Sequence, residues 1–294
     1  MNRQKFLKLL GLTPFALSMD SLNDLTKISE SFSNTERMPV LFLGHGSPMN
    51  AIEENQFVTG FRQIAKDLPK PNAILCVSAH WYTRGTKVTA MTMPRTIHDF
   101  GGFPQALYEV QYPAKGSPEL AKQTQQLLDP ILVELDEKWG LDHGAWSVIK
   151  HLYPKADVPV IQLSIDYTKP ASYHFALAEQ LSVLRNKGIL IIGSGNIIHN
   201  LRLVDFANFD KVDYGFDWAV EAHATINDWL KDGNYQPLLN YEKQGRAFQL
   251  AIPTPDHYLP LIYSLGLQQK GESLTFFNDH LLAGSLSMTS LKIA

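Results

Sequence analysis

The chain of 294 residues has a single cysteine, Cys76, so it can form neither an intrachain disulfide nor a thiolate zinc cluster. Neither charge is in excess: 26 basic and 29 acidic residues leave a formal net charge of −3. That balance gives no general grip on nucleic acid or on an anionic lipid surface. No run approaches the roughly 20 apolar residues of a membrane span, so no integral membrane segment is expected. Internal repeats, low-complexity tracts and Gly/Ser linkers are missing as well, which argues against a repeat array or a string of small modules. Two common catalytic signatures also fail. The Gly-x-Ser-x-Gly elbow of serine hydrolases fits neither Gly46-Ser47-Pro48 nor Gly193-Ser194-Gly195. A dinucleotide fingerprint starting at Gly44-x-Gly46 breaks after two glycines and runs into Pro48.

What remains is an ordinary globular composition, 45% apolar and 19% charged, with enough material for a sizeable core. Residues 1–37 read differently from the rest. Arg3, Lys5 and Lys8 surround the start of an apolar stretch running from Phe6 to Met19, in the manner of a degenerate signal sequence. Lys8 and Pro14 interrupt it, no small-x-small cleavage site follows, and paired arginines are absent. The expected organisation is an N-terminal extension over 1–37, a degenerate signal or tail, ahead of one domain over 38–294. The cytoplasm is the expected location, with export through the extension as the alternative.

From Met38 onward four continuous apolar runs appear, at residues 39–43, 73–77, 158–163 and 189–192. Strands with one wet face alternate; these do not, so they are expected to be covered on both faces of a largely parallel sheet. Helical spacing of apolar residues separates them at 55–68, 172–184 and about 213–230, and Ser117-Pro118 is a helix start. Strand-helix alternation predicts a single α/β domain, a central sheet flanked by helices. In open α/β sheets, ligands bind beyond the carboxyl ends of the strands. Those ends carry Gly44-His45-Gly46-Ser47-Pro48, Ser78-Ala79-His80-Trp81 and Gly193-Ser194-Gly195-Asn196, with His199 three residues on.

Ten histidines stand against the one cysteine, which places any metal chemistry on imidazole. His45 and His80, at equivalent points of two βα units, are the foremost ligand candidates. His257, in Pro253-Thr254-Pro255-Asp256-His257-Tyr258, reads equally as a helix-cap residue or a ligand. His143 precedes an expected helix, where a neutral imidazole can face a pocket. His98 sits in Ile97-His98-Asp99-Phe100-Gly101-Gly102-Phe103, a shaped loop able to carry substrate contacts. His151, His174 and His223 fall on helical patterns and read as packing; His280 reads as exposed.

Six motifs in order resemble one family. Leu43-Gly-His-Gly-Ser-Pro-Met-Asn50, Val77-Ser-Ala-His-Trp81, Ile97-His-Asp-Phe-Gly-Gly-Phe-Pro104, Asp142-His-Gly144, Gly193-Ser-Gly-Asn-x-x-His-Asn200 and Pro253-Thr-Pro-Asp-His-Tyr-Leu-Pro260 are similar to class III extradiol ring-cleavage dioxygenases, nearest the 4,5-DOPA extradiol branch. The resemblance implies one divalent metal per chain, with zinc as the form bound and Fe(II) as the catalytic form. It places His45, His80 and His257 at metal positions. His199 falls at a position that serves either as a further ligand or as the acid/base, and His143 beside substrate and oxygen. The wider class uses two histidines and a carboxylate, so Asp256 competes with His257 for the third place. The implied partners are a catechol such as L-DOPA and O₂, and the implied product is a ring-opened semialdehyde. Two other readings stay open: a non-catalytic metal-binding or interaction protein on the same scaffold, and a zinc-dependent hydrolase.

Overall fold

The computed structural model describes residues 34–294. Most of the expected extension lies outside the described residues. From Thr35 the backbone is already tied to the domain, donating to the Asn186 carbonyl at 2.9 Å.

Ten strands are described: β1 Val40–Gly44, β2 Ala73–Thr83, β3 Thr86–Thr89, β4 Val133–Asp136, β5 Val160–Asp166, β6 Ile189–Gly195, β7 Leu274–Phe277, β8 Leu281–Leu282, β9 Leu286–Ser287 and β10 Ser290–Ile293. Eight of them form one sheet in the order β4-β3-β5-β2-β6-β1-β10-β7, and β8 and β9 make a small separate hairpin. The centre, β5-β2-β6-β1, is parallel. The flanks are antiparallel to it, through β3 on β5 at one side and β10 on β1 at the other.

The longer helices are α1 Gln56–Lys66, α2 Pro118–Leu127, α3 His143–Leu152, α4 Ala171–Leu181, α5 Asp217–Lys231 and α6 Leu259–Gly266. The α5 helix starts later than its apolar spacing suggests. Asp213 has φ +58°, outside the helical region, and Val212 and Gly215 bridge to Leu282 and Gly284 instead.

The two-residue period of the strands divides the core. Val40, Phe42, Leu75, Val77, Ile161 and Leu163 pack on one side with α2, α4, α5 and α6. Leu41, Leu43, Ile74, Cys76, Leu190 and Ile192 pack on the other with α1 and α3. Each such side chain contributes roughly 1.5–3 kcal/mol of burial free energy. This is why the four central strands read as unbroken apolar runs: both faces are dry.

Candidate metal centre

The strands run further into their motifs than the apolar runs suggest. β1 includes Gly44, β6 includes Gly193 to Gly195, and β2 continues through His80 to Thr83. The β2–β5 register breaks between Val77 and Tyr82, and Ser78 is the last residue of β2 paired with β6. Such an irregularity re-aims side chains; here the freed stretch carries Ser78 and His80.

Close approach around this end depends on missing side chains. A Cβ on Gly193 would lie 2.3 Å from the Pro260 carbonyl oxygen, and one on Gly195 would lie 2.1 Å from that of His257. The glycines of β6 therefore let the loop carrying His257 lie directly on the strand. Gly144 does the same for α3, where a Cβ would meet Ser78 Oγ at 2.4 Å and the His80 ring at 2.8 Å.

His143 is the first residue of α3, rather than lying ahead of it. Asp142 is the N-cap, accepting from the Ala145 amide at 3.1 Å. That carboxylate is buried and also accepts from Ser78 Oγ, Gln162 Nε2 and Trp139 Nε1. Burial pushes its pKa up, aided by the nearby charge of Asp99 and opposed by these hydrogen bonds.

These elements bring His45, His80 and His257 together, with one ring nitrogen of each inside a 4.8 Å span. The Nε2 atoms of His45 and His80 are 3.2 Å apart. The other nitrogen of each ring has an oxygen partner. His45 Nδ1 is 3.0 Å from Ser194 Oγ, and that hydroxyl donates to the Gly144 carbonyl. With its one proton committed, Ser194 can only accept from His45, so His45 carries its proton on Nδ1 and a lone pair on Nε2. His257 Nδ1 is 2.5 Å from Asp256 Oδ2, which likewise leaves its Nε2 free. His80 Nδ1 lies 3.3 Å from Asp99 Oδ2, an ion-pair distance without hydrogen-bond geometry.

Histidine Nδ1–H held by oxygen, with Nε2 turned inward, is the usual arrangement around a metal. With its proton on Nδ1, His45 turns an Nε2 lone pair toward His80 Nε2 across 3.2 Å. Two nitrogens bound at about 2.0–2.1 Å in a tetrahedral shell would stand about 3.3 Å apart. The donor set therefore fits a divalent cation.

The electrostatics agree. Burial lowers the pKa of His45 well below the ordinary value, and the surrounding imidazoles lower it further. Burial does the same at His80, with His143 and His257 adding to it and Asp99 opposing it. Burial, helped by His257, brings His199 down to about 3. Burial alone would raise Asp256 and Asp99, yet the His257 ring at the first, and the nearby His143 ring and backbone amide at the second, hold both below the carboxylate range. His45, His80 and His199 are neutral near pH 7.

His199 groups with Asp256 and His257 instead of joining the three-histidine set. Its ring is stacked on that of His257, centroids 3.6 Å apart and planes 11° apart. His143 lies 3.9 Å from the His80 ring centroid. Its Nδ1 comes within 3.1 Å of Asp99 Oδ1 but outside hydrogen-bond geometry, so that buried nitrogen has no formal partner. Phe100 packs edge-on against His143, and His98, Trp146 and Tyr108 continue this aromatic wall. His98 itself is pinned to the Val110 carbonyl at 2.9 Å.

The remaining histidines pair with protein groups elsewhere. His151 meets the Asn50 carbonyl, His174 the Tyr263 hydroxyl and His223 Asp279. His280 is half-exposed and pairs with Asp213.

Asp99 and Ser194 carry roles that the motifs did not reveal. Both stand inside quoted motifs, but Ser194 is 149 residues from its histidine, and nothing local in the chain links the two.

The profile of the catalytic LigB subunit of aromatic ring-opening dioxygenase matches residues 39–284. A protein described as 4,5-DOPA dioxygenase extradiol from Escherichia coli K12 is 48% identical over 269 residues, covering 90% of this chain and 98% of the relative. One with the same description from Beta vulgaris is 35% identical, covering 85% and 94%. A crystal structure of an uncharacterized Escherichia coli K12 protein superposes with a TM-score of 0.76 at 43% identity, covering 88% of this chain and all of that one.

Proposed function

The chain belongs to the family of the catalytic LigB subunit of aromatic ring-opening dioxygenases and is an extradiol dioxygenase; from that premise we propose that residues 38–294 cleave a catechol of the L-DOPA type, using one divalent metal held by His45, His80 and His257. The observation that carries the metal is the convergence of one ring nitrogen from each of His45, His80 and His257 within 4.8 Å, the Nε2 atoms of His45 and His80 standing 3.2 Å apart. The L-DOPA class comes from the names of the relatives.

Iron(II) bound there supplies a redox path between catechol and O₂, whereas zinc, which competes well for nitrogen ligands, has no redox chemistry to offer. The residues do the rest. His199 is assigned as the acid/base. Its ring stacks on that of His257, and it groups with Asp256 and His257 rather than with His45 and His80. An imidazole beside the bound catechol can exchange its hydroxyl proton. Asp256, engaged by His257 Nδ1, orients a ligand. His143 and Phe100 offer a polar edge and an apolar face to an aromatic ring.

The test is oxygen uptake across a catechol panel that includes L-DOPA, after the metal is stripped and Fe(II) is added without air. Uptake with a yellow ring-opened product is expected, with about one iron per chain and no turnover in the zinc form. Iron-loaded protein that consumes no oxygen with any catechol would overturn this reading in favour of a non-catalytic metal-binding protein.

A further inference from the structure

We propose that Asp99 is a positioning residue that sets the tautomer of His80 and seats His143, so that one carboxylate prepares two histidines of the site. The inference rests on His80 being a metal ligand.

Asp99 comes from the 97–103 loop, distant in sequence from both partners, and its side chain is 18% exposed. Its Oδ1 accepts from the His143 backbone amide at 2.9 Å. That amide is at the first position of α3, where no carbonyl within the helix can accept from it. The bond fixes where the helix begins and therefore where the His143 ring stands. The other oxygen, Oδ2, faces His80 Nδ1 at 3.3 Å. An ionised carboxylate can only accept. It favours the proton on Nδ1 and leaves the Nε2 lone pair directed at His45.

The same geometry makes an isosteric replacement informative. In Asp99→Asn the helix amide, which can only donate, selects the new amide oxygen. The NH₂ group is then left against His80 Nδ1. A donor there favours the opposite tautomer, with the proton on Nε2 and no lone pair for a metal. A residue that mattered only by shape would tolerate Asn and suffer from Ala. A residue that acts by accepting should suffer from Asn at least as much.

The experiment measures zinc affinity of the metal-stripped protein by competition against a chromophoric chelator, in the wild type, Asp99→Asn and Asp99→Ala. A loss of roughly 10–100-fold is expected in Asp99→Asn, at least as large as in Asp99→Ala. Long-range ¹H–¹⁵N spectra of zinc-free protein should show His80 moving from the Nδ1–H to the Nε2–H form. Asp99→Asn keeps the acceptor for the helix amide, so it is the variant expected to fold and it decides the question alone. Wild-type affinity in Asp99→Asn, or an unchanged His80 tautomer, would overturn the role of Asp99. Failure of the wild type to bind zinc would instead remove the metal assignment beneath it.

Discussion

Two buried polar clusters sit at opposite ends of the same central strands, and they are built on opposite rules. Beside the amino ends of β1 and β6, Arg185 is wholly buried. It donates to the carbonyls of Met38 and Leu267 at 2.8 Å and to both oxygens of Glu272. Donors meet acceptors there, and the cluster is complete without help. At the carboxyl ends, His45 and His80 turn their Nε2 atoms toward each other, with acceptor oxygens of Ser194 and Asp99 beside their Nδ1 atoms. The first cluster is closed and structural. The second gathers ring nitrogens that a cation could hold together, and that convergence marks it as the candidate functional site more firmly than the number of histidines does.

The contrast can be broken most severely by removing a ligand. His45→Ala or His80→Ala should cut bound metal by at least tenfold and abolish turnover, while circular dichroism and melting of the metal-free protein change little. Full occupancy by elemental analysis in both variants would contradict the assignment.

His199→Ala should lower turnover by roughly 10²–10⁴-fold, the range for loss of a general acid/base. Metal content should stay near that of the wild type. A parallel fall in metal content would make His199 a ligand instead.

The closed cluster should behave in the converse way. Arg185→Met leaves Glu272 and two carbonyls without their donor, and breaking a buried pair costs about 3–5 kcal/mol. Urea unfolding of the metal-free protein should show that loss, with metal per folded chain unchanged. A cost under about 1 kcal/mol would mean the pair is not a structural clamp.

The smallest effect is on acid stability. Burial would raise the pKa of Glu272, but the hydrogen bonds and charge of Arg185 outweigh it and hold the group below its ordinary 4.5. A depressed carboxylate stabilises the fold above its unfolded value and loses that contribution as pH falls through the lowered folded one. Glu272→Gln should therefore flatten the decline of stability below about pH 4.5, with no change in the slope near neutrality.

The open end was more legible in the sequence than the closed one. His45, His80 and His199 stand out because strand ends in a parallel sheet are where such folds bind, and the apolar runs locate those ends. His257 was ambiguous because only the packing of its loop on Gly195 brings it to the site. The flanking strands β3, β4, β7 and β10 escaped notice, since four-residue strands with partly exposed faces leave no continuous apolar run. Arg185 gave no signal either: an arginine after Leu184 on a helical pattern reads as surface until the fold sets Glu272 against it. Hydrogen-bond partners 80 to 150 residues apart become visible only in three dimensions.

The most direct test of the open cluster is a calorimetric titration of metal-stripped protein with zinc at pH 6, repeated in buffers of different ionisation enthalpy. Two ordinary imidazoles would together carry roughly one and a half protons at that pH and shed them on binding. Burial and mutual repulsion keep His45 and His80 neutral, with their lone pairs already presented. The expected result is one zinc per chain with fewer than about one proton released. An absence of saturable one-to-one binding, or release of two or more protons per zinc, would contradict the account.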